Sequence, residues 1–257
     1  MNSLIRAEVD VDGEFVRSMS AFEKRQVPFA AMQAINATAF ETRQRWAEIM
    51  PRIFDRPTSL TLKAVLYTKA TLARLFAEVF IRDEAFKGTA PAKYLRAQVE
   101  GGERRPKGIE RQLNAAGLLP AGMFVVPGQG ASLDAHGNLP LSQLNAIKAQ
   151  IGAHADPTSN ESSVSRARRK KRQAKQGRRG GNYFALSRAH GKLAPGIYER
   201  VTTGFGSAVR SVLFFVKKVQ YRKRFDIFGI ARKVYDRRFP DNFKREFARA
   251  VTSTKVR

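Results

Sequence analysis

A run of five apolar residues, Val212-Leu213-Phe214-Phe215-Val216, constrains the fold of this chain more than any other stretch. Its β-branched and aromatic side chains predict a strand buried on both faces. Lys217 and Lys218 close it. Val219 and Tyr221 then alternate with Gln220 and Arg222, so one face stays buried further along. Beyond it, Phe228, Ala231 and Val234/Tyr235 recur at helical spacing, and so do Phe239, Phe243, Phe247 and Ala250/Val251. Each series sets an apolar stripe against Lys and Arg. Pro240 suits the first turn of the second helix, where its missing N–H costs nothing. A buried strand followed by amphipathic helices predicts a sheet with helices packed on it.

The N-terminal part predicts further elements of that layer. Leu4 to Val11 reads as a short strand, and Asp12 as the cap of a helix sharing Phe15, Met19 and Phe22 on one face. Val27-Pro28 is expected to break that helix and start a longer one, Pro28–Met50, ended by Pro51. Met32, Ile35, Ala39 and Trp46 fall on one side of the long helix. Its front half also presents Ala30, Ala31, Ala34 and Ala37, whose small side chains allow close approach by a helix of the same chain or by a neighbouring subunit. After the turn FDRPTS come two strands, Leu62–Tyr67 and Leu72–Arg82. In the second, Ala73, Leu75, Ala77, Val79 and Ile81 form an apolar face at period two. The short link TKAT predicts an antiparallel pair.

Four segments follow from these textures. Residues 1–82 hold the N-terminal helices and first strand pair. Residues 83–158 read as an inserted helical and loop subdomain, with short helices near Pro91–Val99, Pro106–Ala116 and Leu141–Ala153 around a strand at Met123–Val126. Residues 159–181 read as a basic flexible loop: Ser165 to Gly181 holds nine Lys/Arg, no acid and no large apolar residue, so it has nothing to bury. Residues 182–257 complete the core with strands at Tyr183–Leu186 and Ile197–Val201, the Gly-rich link TTGFGS and the anchoring strand. The predicted fold class is α+β. An antiparallel or mixed sheet from Leu62–Arg82 and Tyr183–Tyr221 carries the long N-terminal helix and the C-terminal amphipathic helices, plus the insertion.

The charge narrows function. Forty-seven Lys and Arg against 22 Asp and Glu leave a formal +25 in 257 residues. Such a surface repels copies of itself unless a polyanion neutralises it: nucleic acid, an anionic membrane or an acidic protein. The absence of cysteine excludes disulfides and thiolate zinc sites. No signal core or stretch of membrane-spanning length is present, which predicts a soluble protein made in the cytoplasm and no membrane partner. His136, His154 and His190 are scattered, with no metal-ligand spacing. Asp83-Glu84 reads as a turn or surface pair, and Gly204-Phe205-Gly206 lacks the third glycine of a phosphate cradle. No catalytic residue, metal site or cofactor is expected, and the chain reads as a non-enzyme.

The basic tract supplies the candidate nucleic-acid-binding residues: Arg166, Arg168, Arg169, Lys170, Lys171, Arg172, Lys175, Arg178 and Arg179. A solvated loop and a localisation patch are the plain alternatives. Against both, basic residues recur at Arg104, Arg105 and Lys107, at Lys217 and Lys218, at Arg222 to Arg224 and at Arg237 and Arg238. Charge spread this widely implies phosphate contact without base reading. Aromatic interleaving of the kind that stacks single strands is weak, so double-stranded DNA is the preferred partner, with RNA as the rival.

The stretch Gln26 to Arg45 (QVPFAAMQAINATAFETRQR) resembles the N-terminal helix of the phage lambda minor tail protein Z family of tail completion proteins. The C-terminal layout is similar too: a Pro-Gly turn and strand (APGIYERV), a buried strand followed by bases (VLFFVKKVQYRKR), then terminal amphipathic helices. Asp83 to Asp156 departs from that pattern. Its phrases FKGTAPAKYL and GGERRPKGIE resemble prophage structural proteins instead. The resemblance implies a non-enzymatic virion component of a tailed phage, a neck or tail completion protein at the head–tail junction. It further implies a homo-oligomeric, hexameric ring with subunit contacts through Ala30, Ala31, Ala34 and Ala37, other tail or neck proteins as partners, and a position along the DNA path. Localisation would be the virion, and the host cytoplasm during assembly. A stand-alone basic architectural protein of DNA or RNA is the alternative.

Overall fold

The computed structural model describes residues 6–9, 23–175, 181–203 and 206–254. In chain order the first elements are β1 (Arg6–Val9), α1 (Glu23–Ile53), α2 (Ser59–Leu62), β2 (Val65–Thr68), β3 (Ala77–Ile81), α3 (Pro91–Glu100) and β4 (Gly102–Glu103). Then come α4 (Gly108–Ala115), β5 (Phe124–Pro127), α5 (Leu141–Ile151), a 3-10 turn at Pro157–Ser159 and α6 (Ser163–Lys175). The chain continues through β6 (Asn182–Leu186), β7 (Gly196–Thr203), β8 (Gly206–Val216) and β9 (Gln220–Tyr221) to α7 (Ile227–Thr254). The class is α+β, with antiparallel sheets and long helices near both ends. Of the helix expected from Asp12 to the break at Val27-Pro28, residues up to 22 lie outside the described residues and Glu23 to Val27 belong to α1.

Two compact units share the chain: Met1–Gly102 with Tyr221–Arg257, and Glu103–Gln220. The second is inserted into the first. Its bounds differ from the expected 83–158, because the strands from Asn182 to Val216 build their own core with α4 and α5. The single sheet predicted from Leu62–Arg82 and Tyr183–Tyr221 is therefore divided, with β2 and β3 in one sheet and β6, β7 and β8 in another. Each apolar strand set has helices within its own unit to cover it.

In the split unit, β3 runs between β1 and β2, antiparallel to both. Ala77, Val79 and Ile81 are buried on one face, as the alternation predicted. The strand is shorter than Leu72–Arg82 because Thr71 and Arg74 close a tight turn onto each other. The start of the other predicted strand is the short helix α2, begun by Thr58, whose hydroxyl accepts from the N–H of Thr61 at 3.3 Å. Trp46 is fully buried and meets Phe225 edge-on at 6.2 Å; Phe54 meets the same ring at 5.7 Å.

Both long helices run through prolines expected to bound them. Pro28 and Pro51 lie inside α1, and Pro240 lies inside α7, which is one helix rather than two. A proline inside a helix removes a hydrogen bond and crowds the preceding turn. The extensive packing of α1 against α7 offsets that cost. Arg238 Nε donates to Glu41 Oε2 at 2.6 Å and Asn242 Nδ2 to Thr38 Oγ1 at 3.0 Å, so the two helices run antiparallel. The small residues serve this contact. Ala30, Ala31 and Ala34 are thus covered within the chain, while Ala37 keeps part of its surface.

In the inserted unit the strand order is β5-β8-β7-β6, all antiparallel. Val212, Leu213 and Phe215 are buried, while Phe214 and Val216 are half-buried, so the anchoring strand is covered more fully on one face. Leu113, Ile147, Ile197 and Leu213 lie in the cluster beneath it. The register shift between Ile197 and Tyr198 is a bulge in β8, where Val212 is the extra residue. Gly196 begins β7 there, where a Cβ would collide with the carbonyl of Leu213. Glu110, on α4, is a buried charged group of this unit. It accepts from Arg104 Nη1 at 2.7 Å, from Arg104 Nη2, and from the N–H groups of Lys107 and Val125 at 2.5 and 2.7 Å.

Candidate nucleic-acid interface

Residues 163–175, expected as part of a flexible loop, form the helix α6. Local chemistry explains this. Ser162 caps the helix: its hydroxyl accepts from Ser165 N–H at 3.1 Å, and its carbonyl accepts from Arg166 N–H at 2.9 Å. Arg, Lys, Gln and Ala then fill the helix, and all are good helix formers. The sequence argument correctly found no apolar residue to bury but overlooked that a polar anchor can hold a helix.

That anchor is Arg169. Its Nε donates to Glu161 Oε1 at 2.6 Å and its Nη2 to Glu161 Oε2 at 3.0 Å, a two-point pair. Nη1 donates to Gly181 O at 3.2 Å and to Asn182 Oδ1 at the start of β6. Glu161 is fixed in turn: its N–H donates to Ala149 O on α5 at 2.9 Å, and its side chain is 9% exposed. The Arg169 hydrogen bond holds its carboxyl below the usual value, against the opposing effect of burial, with Arg166 and Lys170 adding to the lowering. Gly181 N–H donates to Glu199 Oε1, and Glu199 is buried and paired with Arg210 at 2.6 Å. Gln150 on α5 donates to Gly181 O and accepts from Tyr183 N–H, both at 2.9 Å. The helix thus rests on the junction of α5 and β6.

Docking by Arg169 and Gln173, the half-buried residues of α6, decides what the helix presents. At 100° per residue, Arg168, Lys171 and Lys175 fall on the opposite face and Arg172 at its edge, at spacings of three, four and seven. All four are exposed, and none has a hydrogen-bond or ion-pair partner among the described residues. Lys170 lies at the flank, and Arg166 lies 3.8 Å from Glu161. Of the nine candidates, the structure brings four together facing outward, turns Arg169 inward and leaves Arg178 and Arg179 outside the described residues. Glu161, Asn182 and Glu199 were missed, because pairings to an acid before the helix and to a strand after it have no sequence period. The four-residue face was legible in the spacing 168, 171, 172, 175.

The arrangement has an electrostatic cost. Like charges three or four apart on a helix destabilise it by about 0.2–0.5 kcal/mol per pair, and the outer face holds such pairs at 168/171, 168/172, 171/175 and 172/175. The position of Lys171, Arg172 and Lys175 toward the C-terminus returns part of this through the helix dipole. Over the roughly 10 Å between residues 168 and 175, a duplex presents about six phosphate charges. The match in linear charge density is good for backbone contact and carries no means of reading bases.

No protein-family model, no curated protein and no solved structure matches this chain. Among the described residues no three His, Cys, Asp or Glu gather as a metal-ligand set, and no helix is long and apolar enough to cross a membrane. His154 is held by its own surroundings, with its N–H donating to Asn160 and its ring nitrogen 3.3 Å from Asn145 O.

Proposed function

We propose that this chain is a non-enzymatic structural protein that lays the outer face of α6 along the phosphates of double-stranded DNA without reading sequence. The observation that carries the reading is the unpaired cationic quartet Arg168, Lys171, Arg172 and Lys175 on the exposed face of an anchored helix. Phosphates relieve the repulsion within that face, and counterion release supplies the affinity. The setting we propose is the neck of a tailed phage, as a tail completion component in a homo-oligomeric ring that meets other neck or tail proteins. It rests on the resemblance carried by Gln26–Arg45 and by the C-terminal layout. With Ala30, Ala31 and Ala34 buried, ring contacts fall on other surfaces.

The test is a salt titration on two unrelated duplexes, with native mass measured alongside. Binding should fall with log salt by about 0.9 per phosphate neutralised and be equal on both duplexes. Replacing Arg168, Lys171, Arg172 and Lys175 together by Gln should flatten the slope by about 3–4 units and leave the fold intact. An unchanged slope, or preference for one duplex, overturns the DNA reading. A wild type that binds as proposed yet remains monomeric alone and with neck proteins would favour the stand-alone architectural alternative.

A further inference from the structure

We infer that Arg169 is a positioning residue rather than a phosphate contact, and that its pair with Glu161 sets the orientation in which α6 meets a polyanion. The inference rests on the reading of the outer face given above. Every guanidinium nitrogen of Arg169 is already engaged: Nε and Nη2 by Glu161, and Nη1 by Gly181 O and Asn182. A phosphate would have to displace a nearly buried carboxylate to reach it. The rest of α6 offers little to replace this attachment. Its other half-buried side chain is Gln173, and Val164, its apolar residue larger than alanine, is 58% exposed. An apolar seam would hold the helix whatever happened to one ion pair; here the hold is polar, and the Arg169–Glu161 pair is its charged part.

A consequence of opposite sign to simple charge counting follows. Removing the negative charge of Glu161 makes the protein more positive, so a binder driven by charge alone should bind DNA more tightly. Under positioning, the same change takes the charge out of the pair and leaves Arg169 with its bonds to Gly181 O and Asn182, so α6 docks less firmly and binding pays the entropy of reordering it. The affinity falls at every salt concentration, but the four outer cations still reach phosphates, so the slope is unchanged.

The experiment compares wild type, Glu161→Gln, Arg169→Gln, Arg169→Lys and the outer-face quadruple variant on one duplex across a salt series. Amide hydrogen exchange is followed through α6, β7 and β8. Glu161→Gln and Arg169→Gln should each weaken binding about tenfold with no change of slope. Arg169→Lys should recover part of the loss, since an ammonium reaches Glu161 with one contact rather than two. The α6 amides should lose protection in both Gln variants while β7 and β8 keep theirs, which separates undocking from unfolding. Tighter binding by Glu161→Gln, or a slope reduced by about 0.9 in Arg169→Gln, would make Arg169 a phosphate contact and overturn the inference. If the quadruple variant binds like wild type, the DNA reading fails by itself. The exchange data then still decide whether the pair docks α6, and unchanged α6 protection in both Gln variants overturns that as well.

Discussion

Replacing Glu110 by Gln isolates the energetics of a charged group buried in the inserted unit. The carboxylate is 2% exposed and takes four donors: two from Arg104 and the N–H groups of Lys107 and Val125. An amide has one acceptor oxygen, so its NH2 must face at least one of those donors, and Arg104 loses its counterion. Arg104 is itself 11% exposed and lies over the Phe124 ring at 5.0 Å, so water reaches it poorly. Breaking one side of such a pair costs about 3–5 kcal/mol, a large share of the roughly 5–15 kcal/mol that stabilises a domain. Urea unfolding at pH 7, read by exchange of β5 and β8 amides, measures the loss; Trp46 fluorescence gives a separate channel for the split unit. The pH dependence has a definite sign. Burial pushes the Glu110 carboxyl up, but the Arg104 bond and the Val125 and Lys107 N–H groups outweigh it and hold it below 4.5. A depressed carboxylate contributes stability that is complete above its unfolded value and is lost as pH falls through the folded one. Wild type should therefore lose stability on acidification below about pH 4.5, and the Gln variant should lose less over the same range. The double change Arg104→Met with Glu110→Leu should recover part of the loss, since no charge is left unpaired although the Val125 and Lys107 N–H groups lose their acceptor. A cost under about 1 kcal/mol for Glu110→Gln, or wild type growing more stable in acid, would refute the reasoning.

Ala34→Leu should destabilise the split unit by about 1–3 kcal/mol in urea unfolding, because its fully buried position against α7 has no room for three more carbons. Asn242→Asp should cost more than Asn242→Ala in the same assay, since it places a carboxylate at a buried position beside Glu41, whose Oε1 lies 3.4 Å from Asn242 Nδ2. Arg238→Ala should cost no more than about 1 kcal/mol, because Arg238 is exposed in its pair with Glu41. Duplex DNA should slow trypsin cleavage within α6 in wild type, and the outer-face variant should show no such protection.

Elements with a strong period were legible in the chain itself. Ala77, Val79 and Ile81 alternate with half-buried residues as expected, and the strands at Phe124–Pro127 and Asn182–Leu186 fall within a residue or two of their expected places. Partnership was not legible. Nothing in Val212–Val216 says that its neighbours are β5 and β7 rather than β3, because an apolar strand accepts any antiparallel edge with matching register. Prolines 28, 51 and 240 misled for a related reason: local propensity marks an end, while long-range packing of α1 on α7 carries the helices through. In the candidate site, the cations were found by composition, but their division into one anchor and four outward residues required the helix. That helix depends on Glu161 and Asn182, residues that look ordinary in sequence.

The interruption of the split unit by Glu103–Gln220 also dictates an order of events during synthesis. Roughly 170 residues separate the end of α1 from the start of α7, so at 5–20 residues per second the ribosome delivers the second helix about 10–30 s after the first. For that interval the alanine and threonine face of α1 has no lid, while every strand of the inserted unit emerges before α7 does. The nascent chain therefore completes its middle first. A helix long enough to form early must wait for its partner, which makes α1 the segment most exposed to chaperones and to misassembly with other nascent copies on the same message.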